Sequence, residues 1–227
     1  MLTLKSVIQC ASEGWWAVKH DDARAKIVRV ASSHIAQHGL EGAKIRDIAR
    51  DAGVSTALIH YHFANKTALL EASLAYAWER AESMRVRAEI GGRSANPAQR
   101  LADLVTYSLP SRPELREEWL LWMELWLQTA RDPGNRQVME ALYKGIRKDF
   151  TSLITEGNEL GEFDCQDVDG TVSMLIALID GYGIQAMMNP TPAAARRART
   201  FISSAVAPLL GIPALAFRGS GRRDGPR

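Results

Sequence analysis

Apolar positions along most of this chain recur at spacings of three and four, the period of an amphipathic helix; Ile45, Ile48, Ala49 and Ala52 are one instance. No period-2 stretch bounded by turn residues occurs, so strands are not predicted. Gly and Pro interrupt the pattern after Trp16, at Gly91-Gly92, around Pro110 to Pro113, at Pro133-Gly134, between Gly157 and Gly161, and from Pro190 to Pro192. About nine helices follow, over 22–38, 44–51, 55–62, 66–90, 97–108, 114–130, 134–157, 167–188 and 192–210. The first three are short, and short helices bury too little surface to stand alone. With the start of the fourth they are expected to form a compact three-helix head, and the longer helices a separate bundle. The fold class is all-α. The expected divisions are an N-terminal extension over 1–20, the head over 21–66, the bundle over 67–212 and a flexible basic tail over 213–227.

Composition narrows the function classes. With 227 residues, 46% of them hydrophobic and 24% charged, the chain can build one good core or two small ones and is not wholesale disordered. A net charge of +2 carries no information about nucleic acid, so the placement of the basic residues has to. Cys10 and Cys165 lie far apart without a C-x-x-C pattern, so neither a disulfide framework nor a cysteine metal site is indicated, and a reducing compartment fits best. Met1–Val18 mixes apolar residues with Lys5, Gln9, Ser12 and Glu13, and no apolar run approaches the roughly 20 residues that span a bilayer, so a cytoplasmic location is expected. No nucleophile elbow, phosphate loop or paired-carboxylate site stands out, so neither catalysis nor a cofactor is expected. His34 and His38 have metal-ligand spacing, but no cysteine or acidic pair completes a site, and no metal is expected.

The most informative window runs from Lys44 to Phe63 and reads as helix, tight turn, helix. Gly53 falls where the first helix must end in a left-handed conformation, and Ser55 is placed to accept an N–H bond from the next helix. Small Ala49 and Ala52 allow the two helices to approach, while Ile45, Ile48, Val54, Ile59 and Phe63 supply apolar surface for the helix over 22–38 to cover. That is the core of a helix-turn-helix.

The segments Ile59-His60-Tyr61-His62-Phe63 and Asn65-Lys66-Thr67-Ala68-Leu69-Leu70, with the run Ile45-Arg46-Asp47-Ile48-Ala49, resemble the TetR family over roughly residues 22–75. The resemblance implies that the helix over 55–62 enters the major groove, with Ser55, Thr56, Tyr61 and His62 reaching phosphates or base edges. It implies a regulator, most simply a repressor, that binds a palindromic operator as a homodimer and is released by a small molecule. Lys66 at a helix start gains nothing from the helix dipole, and a phosphate sharing the same N–H groups would give it a reason. Two positions depart from the family pattern. Ala43-Lys44 stands where threonines are usual, which removes a helix cap while Lys44 offers a salt-sensitive phosphate contact. His60 stands where tyrosine is common and could meet a phosphate or a base edge. Arg46 and Arg50 share one face, either against DNA or solvated and paired with Asp47 and Asp51.

In the bundle, Leu115, Trp119, Trp122, Met123 and Trp126 fall on one helical stripe, with Tyr143 and Tyr182 available from later helices. They are either plain core or the walls of an effector pocket suited to an apolar, aromatic or cationic molecule. Glu124 and Asp180 are the nearby acids, and Asp180 interrupts the apolar run from Met174 to Ile179; its partner would be a cationic ligand, an arginine such as Arg147, or a hydroxyl. Resemblance of Trp119–Ala130 and Leu178–Tyr182 to the choline-responsive BetI-like branch adds a tilt toward a cation. The helix over 167–188 is apolar almost all round and must be covered twice. Val172, Leu175, Ile176 and Ile179, with Phe201, Ile202, Val206 and Leu209 of the last helix, are expected to form a four-helix dimer interface. Two alternatives remain, a ligand-binding adaptor with a vestigial DNA head and a helical metal-binding protein.

Overall fold

The structure is a computed structural model that describes residues 22–77, 96–132 and 136–215. The expected extension over 1–20, the second half of the helix over 66–90 and most of the basic tail lie outside the described residues. Among the described residues there are nine α-helices and no strand. They are α1 (Asp22–Gly42), α2 (Ile45–Ala52), α3 (Thr56–His62), α4 (described over 66–77), α5 (Pro97–Tyr107), α6 (Pro113–Arg131), α7 (Arg136–Glu159), α8 (Val168–Met188) and α9 (Pro192–Val206). A 3-10 turn, Ala207–Leu210, continues α9.

The helix starts follow local chemistry. Asn96 accepts from the Gln99 N–H at 2.9 Å, Asp167 from Gly170 at 2.8 Å and Thr191 from Ala194 at 3.1 Å. These caps satisfy N–H groups that the helix itself leaves open, and Pro97, Pro113 and Pro192 sit in first turns where a missing N–H costs nothing. One end differs from the expected one. The chain kinks at Gly39 (φ 69, ψ 170) and then resumes helix to Gly42 instead of stopping at 38. That backbone conformation is open to glycine and strained for other residues.

The chain divides into two compact units. The first takes in α1 to α4, α6 and the part of α7 up to Ile146. Its core is continuous: Ile27, Ala31 and Ile35 of α1, Ile48 and Ala52 of α2, Ile59 of α3 and Leu69 and Leu70 of α4 share one hydrophobic cluster with Leu121, Trp122 and Leu125 of α6. The helix-turn-helix is therefore not closed by its own three helices; α6 completes it.

The second unit takes in α5, α7 from Arg147, α8 and α9. Leu101, Val105, Phe150, Ile154, Val172, Leu175, Ile202 and Val206 are buried there. The Asn158 side chain pins the turn after α7, accepting from Cys165 N–H at 3.0 Å and donating to its carbonyl at 2.9 Å. By length and composition α8 could cross a membrane, so the apolar content expected of no segment is met by this one. Its residues Thr171, Val172, Leu175, Ile176, Ile179, Gly183 and Ala186 are buried, the pattern of a core helix.

Candidate functional site

Gly53 ends α2 in the left-handed region (φ 64, ψ 38), and Ser55 Oγ accepts from Leu58 N–H at 3.1 Å to start α3. Lys44, at the N-cap of α2, makes no capping side-chain bond, the lost cap that its sequence position predicts. The turn aims α3 so that Ile59 and, just beyond the helix, Phe63 point inward. Thr56, Ala57, His60 and Tyr61 then share the outward face, and Tyr61 is 81% exposed. An exposed phenol on a core-packed helix has no folding role to explain it. Ala57 was not singled out from sequence; its small side chain leaves the backbone at the centre of this face open.

Not every expected DNA contact stands free. His62 is half-buried between Tyr61, whose ring it meets edge-on at 5.2 Å, and Phe63. Lys66 has an immediate partner within the protein: Nζ donates to the carbonyls of Leu40 at 3.0 Å and Glu41 at 3.1 Å. It thereby serves the carbonyl end of α1, where a cation is favoured, and this explains a lysine at a helix start without DNA. Arg24 also packs by its cation, 5.3 Å from the Phe63 ring centroid.

Arg50 takes the solvated, paired reading, donating to Asp47 and Asp51 at 2.9 Å each, while Arg46 is exposed. The hydrogen bond from Arg50, and a second from His34 at 2.9 Å, hold the Asp51 carboxyl below the usual carboxylate range. His34 thus ties α1 to α2; its ring lies 6.0 Å from that of His38.

On α6 the tryptophans form one cluster. Trp119 meets Trp126 edge-on at 5.8 Å, Trp126 lies 6.3 Å from Trp122, and Trp122 meets Tyr143 of α7 at 6.1 Å. Met123 is half-buried beside them in sequence. Glu118, 6% exposed, accepts from the Trp122 indole N–H at 3.4 Å. Sequence reasoning passed over Glu118 for Glu124, although Glu118 is the charged residue inside the stripe 115, 118, 119, 122, 126 and could have been found by that interruption. Glu124 is half-buried and accepts from Gln128 at 2.9 Å.

Asp180 and Tyr182 belong to the second unit. Asp180 is half-buried, and Arg147 pairs elsewhere, with Asp169 at 3.2 Å and Ser173 at 2.9 Å. The Tyr182 ring stacks on Phe201 of α9, 5.5 Å away and 12° from parallel.

The face expected to form the dimer interface is mostly used inside the single chain. Val172, Leu175, Ile176, Ile179, Ile202 and Val206 are at most 7% exposed, so a partner cannot reach them; Phe201 and Leu209 remain exposed. The open face of α8 is instead Met174, Ala177, Gly181, Ile184 and Met188. Their spacing of three, four, three and four is that of a helix packed along a second helix.

Residues 27–73 match the family described as bacterial regulatory proteins, tetR family, and residues 97–211 match the BetI-type transcriptional repressor C-terminal domain. A transcriptional regulator from Saccharomonospora viridis, crystallised in complex with choline, is 31% identical with a TM-score of 0.71, over 82% of this chain and 95% of that one. The HTH-type transcriptional regulator BetI of Agrobacterium fabrum is 28% identical over 74% of this chain and 79% of its own. The HTH-type transcriptional regulator PksA of Bacillus subtilis is 26% identical over 76% and 82%.

Proposed function

The chain belongs to the TetR family of bacterial transcriptional regulators, and from that premise we propose that it is a cytoplasmic repressor that binds a palindromic operator as a homodimer and releases it when a small molecule enters the bundle. The observation that carries this reading is the outward face of α3, where Thr56, His60 and Tyr61 stand exposed on a helix whose other side is locked into the core. Such a face reaches base edges and phosphates in a major groove, with Ser55 and Lys44 flanking it. Lys66 has a third proton left for a phosphate after serving its two carbonyls, and His62 positions the Tyr61 ring.

The DNA contacts fall within 21–66 and the effector and partner contacts within 67–212. For the effector, the cluster Trp119, Trp122, Trp126 and Tyr143, with Met123 and the carboxylate of Glu118 alongside, favours an aromatic or cationic molecule. The choline bound to the Saccharomonospora viridis relative makes quaternary ammonium compounds the first to try. For the partner, the apolar stripe of α8 and the exposed Phe201 and Leu209 would meet the same pair from a second copy across a two-fold axis. Gly181 and Ala177 allow close approach there, and the stacked Tyr182 and Phe201 join this surface rather than the effector site.

Fluorescence anisotropy of the purified chain with a labelled fragment of its own upstream DNA, at two salt concentrations, tests the reading. Selective binding that weakens with salt and is lost in Tyr61→Ala supports it. Binding of equal strength to unrelated DNA, unchanged in Tyr61→Ala, contradicts it and favours the adaptor alternative.

A further inference from the structure

The head holds a cleft of its own. It measures about 400 Å³ and is lined by Ala25, Lys26 and Arg29 of α1 and Tyr76 of α4, so it shares no lining residue with the tryptophan cluster. That volume falls at the lower end of small-molecule sites, about 300–1,000 Å³. Tyr76 is half-buried and packs on the hydrophobic core of the head, which fixes one wall. Ala25 is too small to fill the space in front of it.

The two cations of the cleft are not used by the fold. Arg24 is committed to the Phe63 ring, and Arg50, Arg100 and Arg147 each pair with a carboxylate. Lys26 and Arg29 are exposed, and among the described residues neither makes an ion pair or a hydrogen bond. Standing three apart on one helix, they repel each other, and an anion between them removes that repulsion. A monoanion would neutralise one of them. A phosphate monoester, mostly doubly charged near neutral pH, matches both. The arginine supplies a forked pair of donors for its oxygens and the lysine a mobile point charge. The Tyr76 ring offers a flat wall for an aromatic body.

The cleft also lies apart from the expected DNA contact at Lys66. Tyr76 is ten residues beyond Lys66, about 15 Å along α4. Lys66 is held at the far end of α1, on the carbonyls of Leu40 and Glu41, whereas the cleft takes residues 25 to 29 of that helix. The two places therefore mark opposite ends of the α1 and α4 pair. Lys26 forms the rim nearest the helix-turn-helix: a Cβ added to Gly53 would lie 3.4 Å from its Nζ.

We propose that this cleft binds a small aromatic phosphate monoester, with Lys26 and Arg29 on the phosphate and the ring against Tyr76. The head then takes a ligand opposite in charge to the cation favoured at the tryptophans. Bridging α1 and α4, it stabilises the folded head by mass action. The site needs neither the operator nor the effector reading, because its parts all belong to the head.

Isothermal titration calorimetry of the full chain with phenyl phosphate, inorganic phosphate and phenol tests it. The expected result is one saturable site for phenyl phosphate, at least about tenfold tighter than for either fragment. Lys26→Gln with Arg29→Gln should weaken it about tenfold or more, the loss of two charge-assisted contacts. Ala25→Trp keeps both cations but fills the cleft from an exposed helix position, and should abolish binding while circular dichroism stays that of the wild type. Absence of phenyl phosphate binding overturns the proposal. So does equal affinity for inorganic phosphate, or binding that survives in Ala25→Trp, since either reveals attraction to surface charge without a cleft. An unrelated DNA duplex at saturation should change the affinity by less than about threefold. Loss of phenyl phosphate under that duplex would give the cations to backbone phosphate and also overturn the proposal. Selective operator binding has no part in these readouts, so failure of the repressor reading leaves them unchanged.

Discussion

The seven-residue α3 and the 21-residue α8 are both half-covered helices whose open faces differ in kind. α3 turns Thr56, His60 and Tyr61 outward, groups that can hydrogen-bond to a polar, charged surface. α8 turns Met174, Ile184 and Met188 outward, which offer only area, and its neighbour α9 adds Phe201 at 51% exposure. A polar open face is stable in water as it stands and can bind and release; an apolar one favours a cover that stays. Under the proposed function, the reversible partner, DNA, belongs to one helix and the standing partner, a second copy, to the other.

The largest expected effect breaks the apolar face. Ile184→Asp with Phe201→Asp places charges where a partner would bury them, and sedimentation should change from dimer to monomer while operator affinity falls about a hundredfold or more, because two half-sites no longer bind as one. Next comes the polar face: Tyr61→Ala should leave the melting temperature unchanged and weaken operator binding about tenfold in anisotropy titrations, the scale of one good base or phosphate contact.

These two faces were unequally legible in the sequence. The head is written in local signals: Gly53 for the left-handed turn, Ser55 for the cap, and a polar outward set on a helix only two turns long. α8 is apolar almost all round, so periodicity alone had no contrast from which to choose its inner side, and Val172, Leu175 and Ile179 were assigned to a partner although they are buried within the single chain. The missed feature was the three-four spacing of Met174, Ala177, Gly181, Ile184 and Met188, with small residues at two of its five positions. Long-range contacts were equally hidden. Nothing near Lys66 announces carbonyls 25 and 26 residues earlier, and nothing near Ser32 announces its hydrogen bond to Glu117.

Two smaller effects sharpen the head's side of the comparison. Lys66→Met should cost about 1–2 kcal/mol in denaturant unfolding, through the bonds to Leu40 and Glu41, and lower the salt slope of DNA binding by about one phosphate contact. A role in DNA binding alone would leave stability unchanged. Glu71 on α4 is half-buried, and burial raises its carboxyl above the usual range. Its charged form is therefore penalised in the folded state, a penalty absent below the unfolded value and growing as pH rises through the folded one. Glu71→Gln should accordingly raise the melting temperature slightly at pH 7, and the gain should vanish as the pH falls below about 4.

The central claim is that α3 reads DNA in two copies set by the α8 and α9 face. Selection of bound sites from a random DNA pool by the full chain tests both halves at once. The account predicts an enriched inverted repeat with half-sites about one helical turn apart or a multiple of it, recovered by the wild type and lost by Ile184→Asp with Phe201→Asp. A pool that stays unenriched, or that yields single half-sites with equal affinity for wild type and variant, would contradict it.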